Sequence, residues 1–104
     1  MRFAEYETVL ENEKNTTEIE SAIQTILSLS ELPWRHQRDN RTRDYDLRQL
    51  IDDIWLIEVQ GSGCTLGIRL QCSSKGAGRP EQVTTALGWK SMPRTIHRTR
   101  LILA

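Results

Sequence analysis

From Cys64 to Cys72 the chain alternates without a break: Cys64, Leu66, Ile68, Leu70 and Cys72 take every second position, and Thr65, Gly67, Arg69 and Gln71 stand between them. Side chains on a strand project to opposite faces in turn, so this run demands a strand with one face buried and the other in water. Such a strand must sit in a sheet with apolar cover on one side, which excludes an all-helical fold. Trp55 to Gln60 precedes it across the short loop Gly61-Ser62-Gly63, and the two segments read as an antiparallel hairpin over residues 55–72, with Trp55, Ile57 and Val59 sharing one face of the first strand. Both cysteines fall on the buried face of the second strand, and two are too few for a disulfide scaffold, so free thiols are expected.

The rest of the chain reads against that hairpin. Residues 3 to 10 alternate as well, with Ala4, Tyr6, Thr8 and Leu10 on one face and Glu5 and Glu7 on the other. In Thr17-Glu18-Ile19-Glu20 a hydroxyl stands three residues before a Glu, the spacing of a capping box. Ile19, Ala22, Ile23, Ile26 and Leu27 then mark one stripe of an amphipathic helix that ends before Pro33. Trp34 to Arg38 and Arg43 to Leu47 form a polar hairpin around Asp39-Asn40-Arg41-Thr42, and Ile51 to Ile54 turn the chain into the strand at Trp55. Pro80 and Glu81 open a short helix with Val83, Ala86 and Leu87 on its apolar stripe and Gly88 at its end. Thr95 to Leu103 close the chain as a strand. The order β-α-β-β-β-β-α-β predicts an α+β two-layer sandwich: a mainly antiparallel sheet with two helices on one face, a variant of the ferredoxin-like plan. The second sheet face is expected to stay open. At 104 residues one domain is the expectation.

Charge is neutral in total and uneven in place. Residues 1–32 carry two basic and seven acidic side chains, residues 33–104 twelve and seven, and from Arg69 onward there are seven cations and one acid, Glu81. Eleven of the fourteen cations are Arg, whose planar fork suits phosphate or carboxylate. No apolar run approaches the roughly 20 residues of a membrane helix, and the first residues lack the apolar core of a signal peptide, so a cytoplasmic protein without a membrane partner is expected.

Two segments can meet an anion. The small-residue loop Ser73 to Gly78 holds Lys75 and runs into a helix start at Arg79-Pro80, where backbone N–H groups favour negative charge; no Gly-Lys-Ser or Gly-Lys-Thr makes it a P-loop. Arg35, Arg38, Arg41, Arg43 and Arg48 surround the polar hairpin with Trp34, His36 and Tyr45 among them, a mixture able to grip phosphates and stack on bases. The plain alternative is that Asp39, Asp44 and Asp46 pair with those arginines on a solvated hairpin. Cys64, Cys72, His36 and His97 show no zinc-site spacing, and no nucleophile elbow, zincin motif or iron–sulfur cysteine run is present. Asp46 and His97 would be an acid–base pair only by placement, which their spacing does not predict. No cofactor and no catalytic role are expected.

Ala4-Glu5-Tyr6-Glu7, the stretch Arg43-Asp44-Tyr45-Asp46-Leu47-Arg48-Gln49-Leu50-Ile51, and Gly78-Arg79-Pro80-Glu81-Gln82-Val83 together resemble the C-terminal part of the bacterial domain of unknown function associated with radical-SAM proteins. The family's middle signature is close to Lys or Arg, a spacer, then Val-Asp-Leu-Arg-Pro-Leu-Ile, from which Tyr45 and Gln49 depart; its late signature is Arg-Pro-Glu-x-Val. The family's domain begins with an aromatic, His-Asp-containing half that this chain lacks, so the resemblance implies a C-terminal piece of something longer. It also implies an accessory or substrate-recognition role beside a radical-SAM protein, with RNA as one anionic partner, and marks Arg43, Asp46, Arg48, Arg79 and Pro80. Joined to the loop lysine, the expected anion or RNA site is Arg43, Asp46, Arg48, Lys75 and Arg79. Two other roles follow from the same residues: a protein-interaction module docking through the open sheet face, and half of an incomplete enzyme with a cleft lined by Asp46 and arginines.

Overall fold

A computed structural model describes residues 2–38, 41–73, 76–77 and 79–103, with side chains at all of these except 36–38, 41, 43, 73, 76–77 and 103. Its elements are β1 (Arg2–Glu11), α1 (Thr16–Leu27), β2 (Pro33–Arg38), β3 (Arg41–Asp46), α2 (Leu47–Leu50), β4 (Ile51–Gln60), β5 (Gly63–Ser73), β6 (Gly76–Ala77), α3 (Pro80–Ala86) and β7 (Thr95–Leu103). The main sheet is antiparallel in the order β4-β5-β1-β7, β6 extends β5 at one end, and β2 and β3 form a separate ribbon. This is the α+β two-layer sandwich. Without the ribbon, α2 and the two-residue β6, the elements run β-α-β-β-α-β, the order of the ferredoxin-like plan, with the ribbon inserted after α1.

All three described helices contribute to one core. Ala4, Thr8 and Leu10 of β1 and Cys64, Leu66, Ile68 and Leu70 of β5 are buried on a single sheet face, and Ile19, Ile23 and Ile26 of α1, Leu47 of α2 and Val83 of α3 are buried with them. A 12-residue helix is marginal alone, so the burial of three isoleucines, about 1.5–3 kcal/mol each, is what holds α1 in place. Its cap lies two residues before the hydroxyl that the sequence suggests. Asn15 accepts from the Glu18 amide at 2.8 Å, and the Glu18 carboxylate accepts from the Asn15 amide at 3.1 Å. Asn is at least as good a cap as Thr, and its box partner Glu18 is already at the required spacing.

Two expectations are corrected. Ile51–Ile54 do not turn the chain; they belong to β4, and the turn is made by the unforeseen helix α2. Trp55, Ile57 and Val59 do not share a face, because the register against β5 slips between Leu56 and Glu58. An extra residue in a bulge reverses the alternation beyond it, and Ile57 and Val59 are each left 43% exposed. Cys64 is buried and Cys72 half-buried, both as free thiols. Burial pushes the Cys64 thiol up from its ordinary value. No helix among the described residues is long and apolar enough to cross a membrane.

The connection from α3 to β7 is held by acids of the first strand and the loop after it. Gly88, at φ +107°, lets the chain leave α3, and the Trp89 indole donates to the Glu11 carbonyl at 3.0 Å. Glu13 accepts from the amides of Lys90 and Ser91 at 2.8 and 3.0 Å, and Arg94 forks onto both Glu11 carboxylate oxygens at 2.7 and 2.6 Å. The Arg94 hydrogen bond holds Glu11, and hydrogen bonds from Ser91 and Lys90 hold Glu13, below the usual carboxylate range. A carboxyl depressed in the folded state stabilises it above the ordinary glutamate pKa and ceases to as pH falls through the folded value. The stability difference between the native chain and Glu11→Gln/Glu13→Gln should therefore be greatest near neutral pH and shrink through the acid range. Urea titrations at a series of pH values measure it; a difference that stays constant or grows in acid contradicts the assignment.

Candidate binding surface

Of the five residues singled out in the sequence, two are built into the framework. The Asp46 carboxylate caps α2: one oxygen accepts from the Arg48 amide at 3.0 Å and from the Leu32 amide at 2.7 Å. Arg48 turns inward, donating through Nη1 to the Ile51 carbonyl at 2.8 Å and through Nη2 to the Leu27 carbonyl at 3.1 Å. Its Nε is buried with no partner among the described residues. Together the pair ties the end of α1, the approach to β2 and the start of β4 around a four-residue helix. This is also why α2 forms: four residues make too few helical bonds to hold themselves, and the carboxylate and guanidinium supply the rest. The Asp46–arginine pairing that the motif suggests is therefore with the Arg48 backbone amide, and the guanidinium points elsewhere.

The other three lie apart from that knot or outside the described residues. Arg43 sits in β3 opposite His36, with its side chain outside the described residues, and Lys75 lies outside them altogether. Arg79 is the N-cap of α3, its side chain 53% exposed and 3.8 Å from Glu81, and Pro80 opens the helix as expected. Gln82 connects the two regions, its amide oxygen accepting from the Arg79 amide at 3.2 Å and from the Tyr45 hydroxyl at 2.6 Å. The expected cleft of Asp46 and arginines involves ribbon side chains, among them Arg43, that lie outside the described residues. Arg35 of the ribbon follows the plain alternative, pairing with Asp44 at 2.9 Å with both side chains exposed.

The open sheet face is a mixed field with its acids in the middle. Glu5, Glu7 and Glu11 lie along the face of β1 turned away from the helices. Arg69 opposite Glu5 pairs with it and reaches Asp52 at 3.4 Å, and Arg94 takes Glu11. Each guanidinium is held by its carboxylate, and its own pKa is raised by that hydrogen bond. Phosphate approaching this face meets Glu5 and Glu11, whose counterions are already in place, and the further negative charge of Glu7. Trp55 lies across Gly67 on the same face, half-buried.

Several cations without an ion pair among the described residues lie at one margin instead, while Lys14 and Lys90, also outside any ion pair, lie apart around Glu13 and Gly88. Arg98 and Arg100 of β7, with His97 next to Arg98, are exposed, and Arg2 is exposed at the start of β1 beside them. Arg98 is opposite Tyr6, on the helix side, in one row with Ile96 and Leu101, which are 43% and 48% exposed. Arg100 is opposite Glu5 and His97 opposite Glu7, on the open side. Burial raises the Tyr6 phenol from its ordinary value, so Arg98 has an uncharged hydroxyl opposite it in place of a counter-charge. Motif and spacing alone do not single these residues out. The signal for them is the excess of seven cations over one acid from Arg69 onward, together with a final strand, Thr95 to Leu103, that contains no acid.

No protein-family model, curated protein or solved structure matches this chain.

Proposed function

We propose that this chain is a non-catalytic recognition module that docks, through the β7 margin, on an acidic surface of a partner protein. The sequence resemblance supplies the partner class, a radical-SAM protein, which on this reading carries the chemistry. The observation that carries the proposal is the concentration of cations outside any ion pair among the described residues, Arg98 and Arg100 above all, beside exposed Ile96 and Leu101. A charged row mixed with apolar side chains fits a protein surface, where complementary charge steers encounter and buried apolar area holds the complex. RNA is less well served. Arg48 is committed to backbone carbonyls, and the open sheet face puts Glu5, Glu7 and Glu11 where a phosphate backbone would run.

The test is direct binding between the full chain and the radical-SAM protein of the same genome, at low and high salt, with transfer-RNA fragments as the competing ligand. Binding of the protein that weakens with salt and is lost in Arg98→Glu/Arg100→Glu is the expected result. Salt-insensitive binding, binding indifferent to the charge reversal, or tight binding of the RNA in place of the protein overturns the reading.

A further inference from the structure

We infer that the free edge of β7 takes up an extended acidic segment of a partner protein by strand addition, with acidic side chains of that segment set against Arg98 and Arg100. This rests on the recognition role proposed above and specifies how the partner is held. β7 ends the order β4-β5-β1-β7 and, among the described residues, bonds only to β1. Its outer side therefore presents peptide N–H and C=O groups with no ladder partner along a strand of 9 residues, about 30 Å. The opposite margin is a poor template, because β4 carries two register shifts and α1 packs against it. β7 has one irregularity, opposite Glu5 and Tyr6. An exposed edge of this kind is a general acceptor of extended peptides.

Charge selects the occupant. A second copy pairing antiparallel through β7, in registers centred on Arg98 or Thr99, sets Arg98 against Arg98 or Arg100, and like charges directly opposite are destabilising. A nucleic-acid strand has no peptide groups to complete the ladder. An acidic peptide strand satisfies both demands. On the helix side the row Ile96, Arg98, Leu101 asks for an acid between apolar neighbours; on the open side Arg100 asks for a second acid, since Glu5 is already taken by Arg69. His97 has Glu7 beside it and asks for less.

The probe is a synthetic ten-residue peptide, Val-Val-Glu-Glu-Val-Val-Glu-Glu-Val-Val, which as a strand carries acids between apolar side chains on both faces, titrated into the full chain while amide hydrogen exchange is followed residue by residue. The β7 amides that do not bond to β1 should slow by about ten-fold or more at saturation, as groups entering a ladder do. Arg98→Glu/Arg100→Glu should weaken binding by about ten-fold, and Arg98→Gln/Arg100→Gln by less, each with an unchanged circular dichroism spectrum. The same peptide with Pro at two consecutive positions in each half, which removes N–H donors from both of its edges, should give no protection. Protection outside β7, equal binding of the Pro peptide, or β7 amides that slow with protein concentration alone each overturn strand addition. If the radical-SAM protein binds in a charge-dependent way without slowing the β7 amides, strand addition fails and the recognition role stands. If the peptide protects β7 and the radical-SAM protein does not bind, the edge site stands and the assigned partner falls.

Discussion

Asp46→Ala is expected to destabilise the fold by about 2–4 kcal/mol, the sum of a lost helix cap and a Leu32 amide left without its acceptor in a part-buried site. Asp46→Asn keeps an oxygen in the same place and should cost about 1 kcal/mol or less, because the two amides need an acceptor more than they need a charge. The order of the two variants separates a framework residue from a ligand-binding one. If Asp46 served a proton transfer, Asn would be the damaging change to function and Ala would leave the fold nearly intact. Urea unfolding of both variants decides it: a midpoint for Asp46→Ala equal to that of the native chain, or Asn as harmful as Ala, rules out Asp46 as the group that holds α2 together. Arg48 belongs to the same unit. Arg48→Lys should be costly despite its charge, since one ammonium does not span the carbonyls of Leu27 and Ile51 as the guanidinium fork does. Its effect should not add to that of Asp46→Ala, because both act on the same four-residue helix.

The contrast between α2 and β5 marks how far the sequence could be read. β5 and α1 were legible because periodicity is a local property: Leu66, Ile68 and Leu70 alternate whatever surrounds them, and Ile19, Ile23 and Ile26 fall on one side of any helix. α2 was not, because what makes it a helix is an amide 14 residues away on Leu32 and a carbonyl 21 residues away on Leu27. β4 was half legible. Its strand character shows in Trp55 to Gln60, but the register slip after Leu56 comes from its pairing with β5 and leaves no mark in composition. The binding surface follows the same division. Arginines can be counted in a sequence; which of them are free depends on acids far along the chain, such as Glu5 for Arg69, 64 residues away, and Glu11 for Arg94, 83 away. The β7 cations stand out only after those long-range pairs have been removed from the count.

Gly67→Ala should cost about 2–3 kcal/mol although it adds one methyl group to a strand, where Ala is ordinarily the better residue. The reason is Trp55, directly across on β4: a Cβ at position 67 would lie 2.0 Å from its Cε2 and 2.2 Å from its Nε1, well inside contact distance. The indole occupies the space that the neighbouring β5 residues on that face use for their own side chains, so the ring must swing into water or the strands must part. Neighbouring Thr65 and Arg69 on that face carry their side chains normally, which limits the effect to the one position the ring covers. A double-mutant cycle isolates the contact. Trp55→Ala alone should cost about 1–2 kcal/mol for a half-buried aromatic. With the ring gone, Gly67→Ala should become neutral or stabilise by about 0.5 kcal/mol, so the two costs fail to add by about 2 kcal/mol or more. Additivity within about 0.5 kcal/mol would mean that the ring does not rest on the glycine, and the strain would then have to be sought in the β5 backbone. Because the β7 cations are on the far side of β1 from this contact, the single variants should bind the acidic peptide as the native chain does, so that a loss of stability at Trp55 and a loss of recognition at Arg98 can be measured separately in one protein.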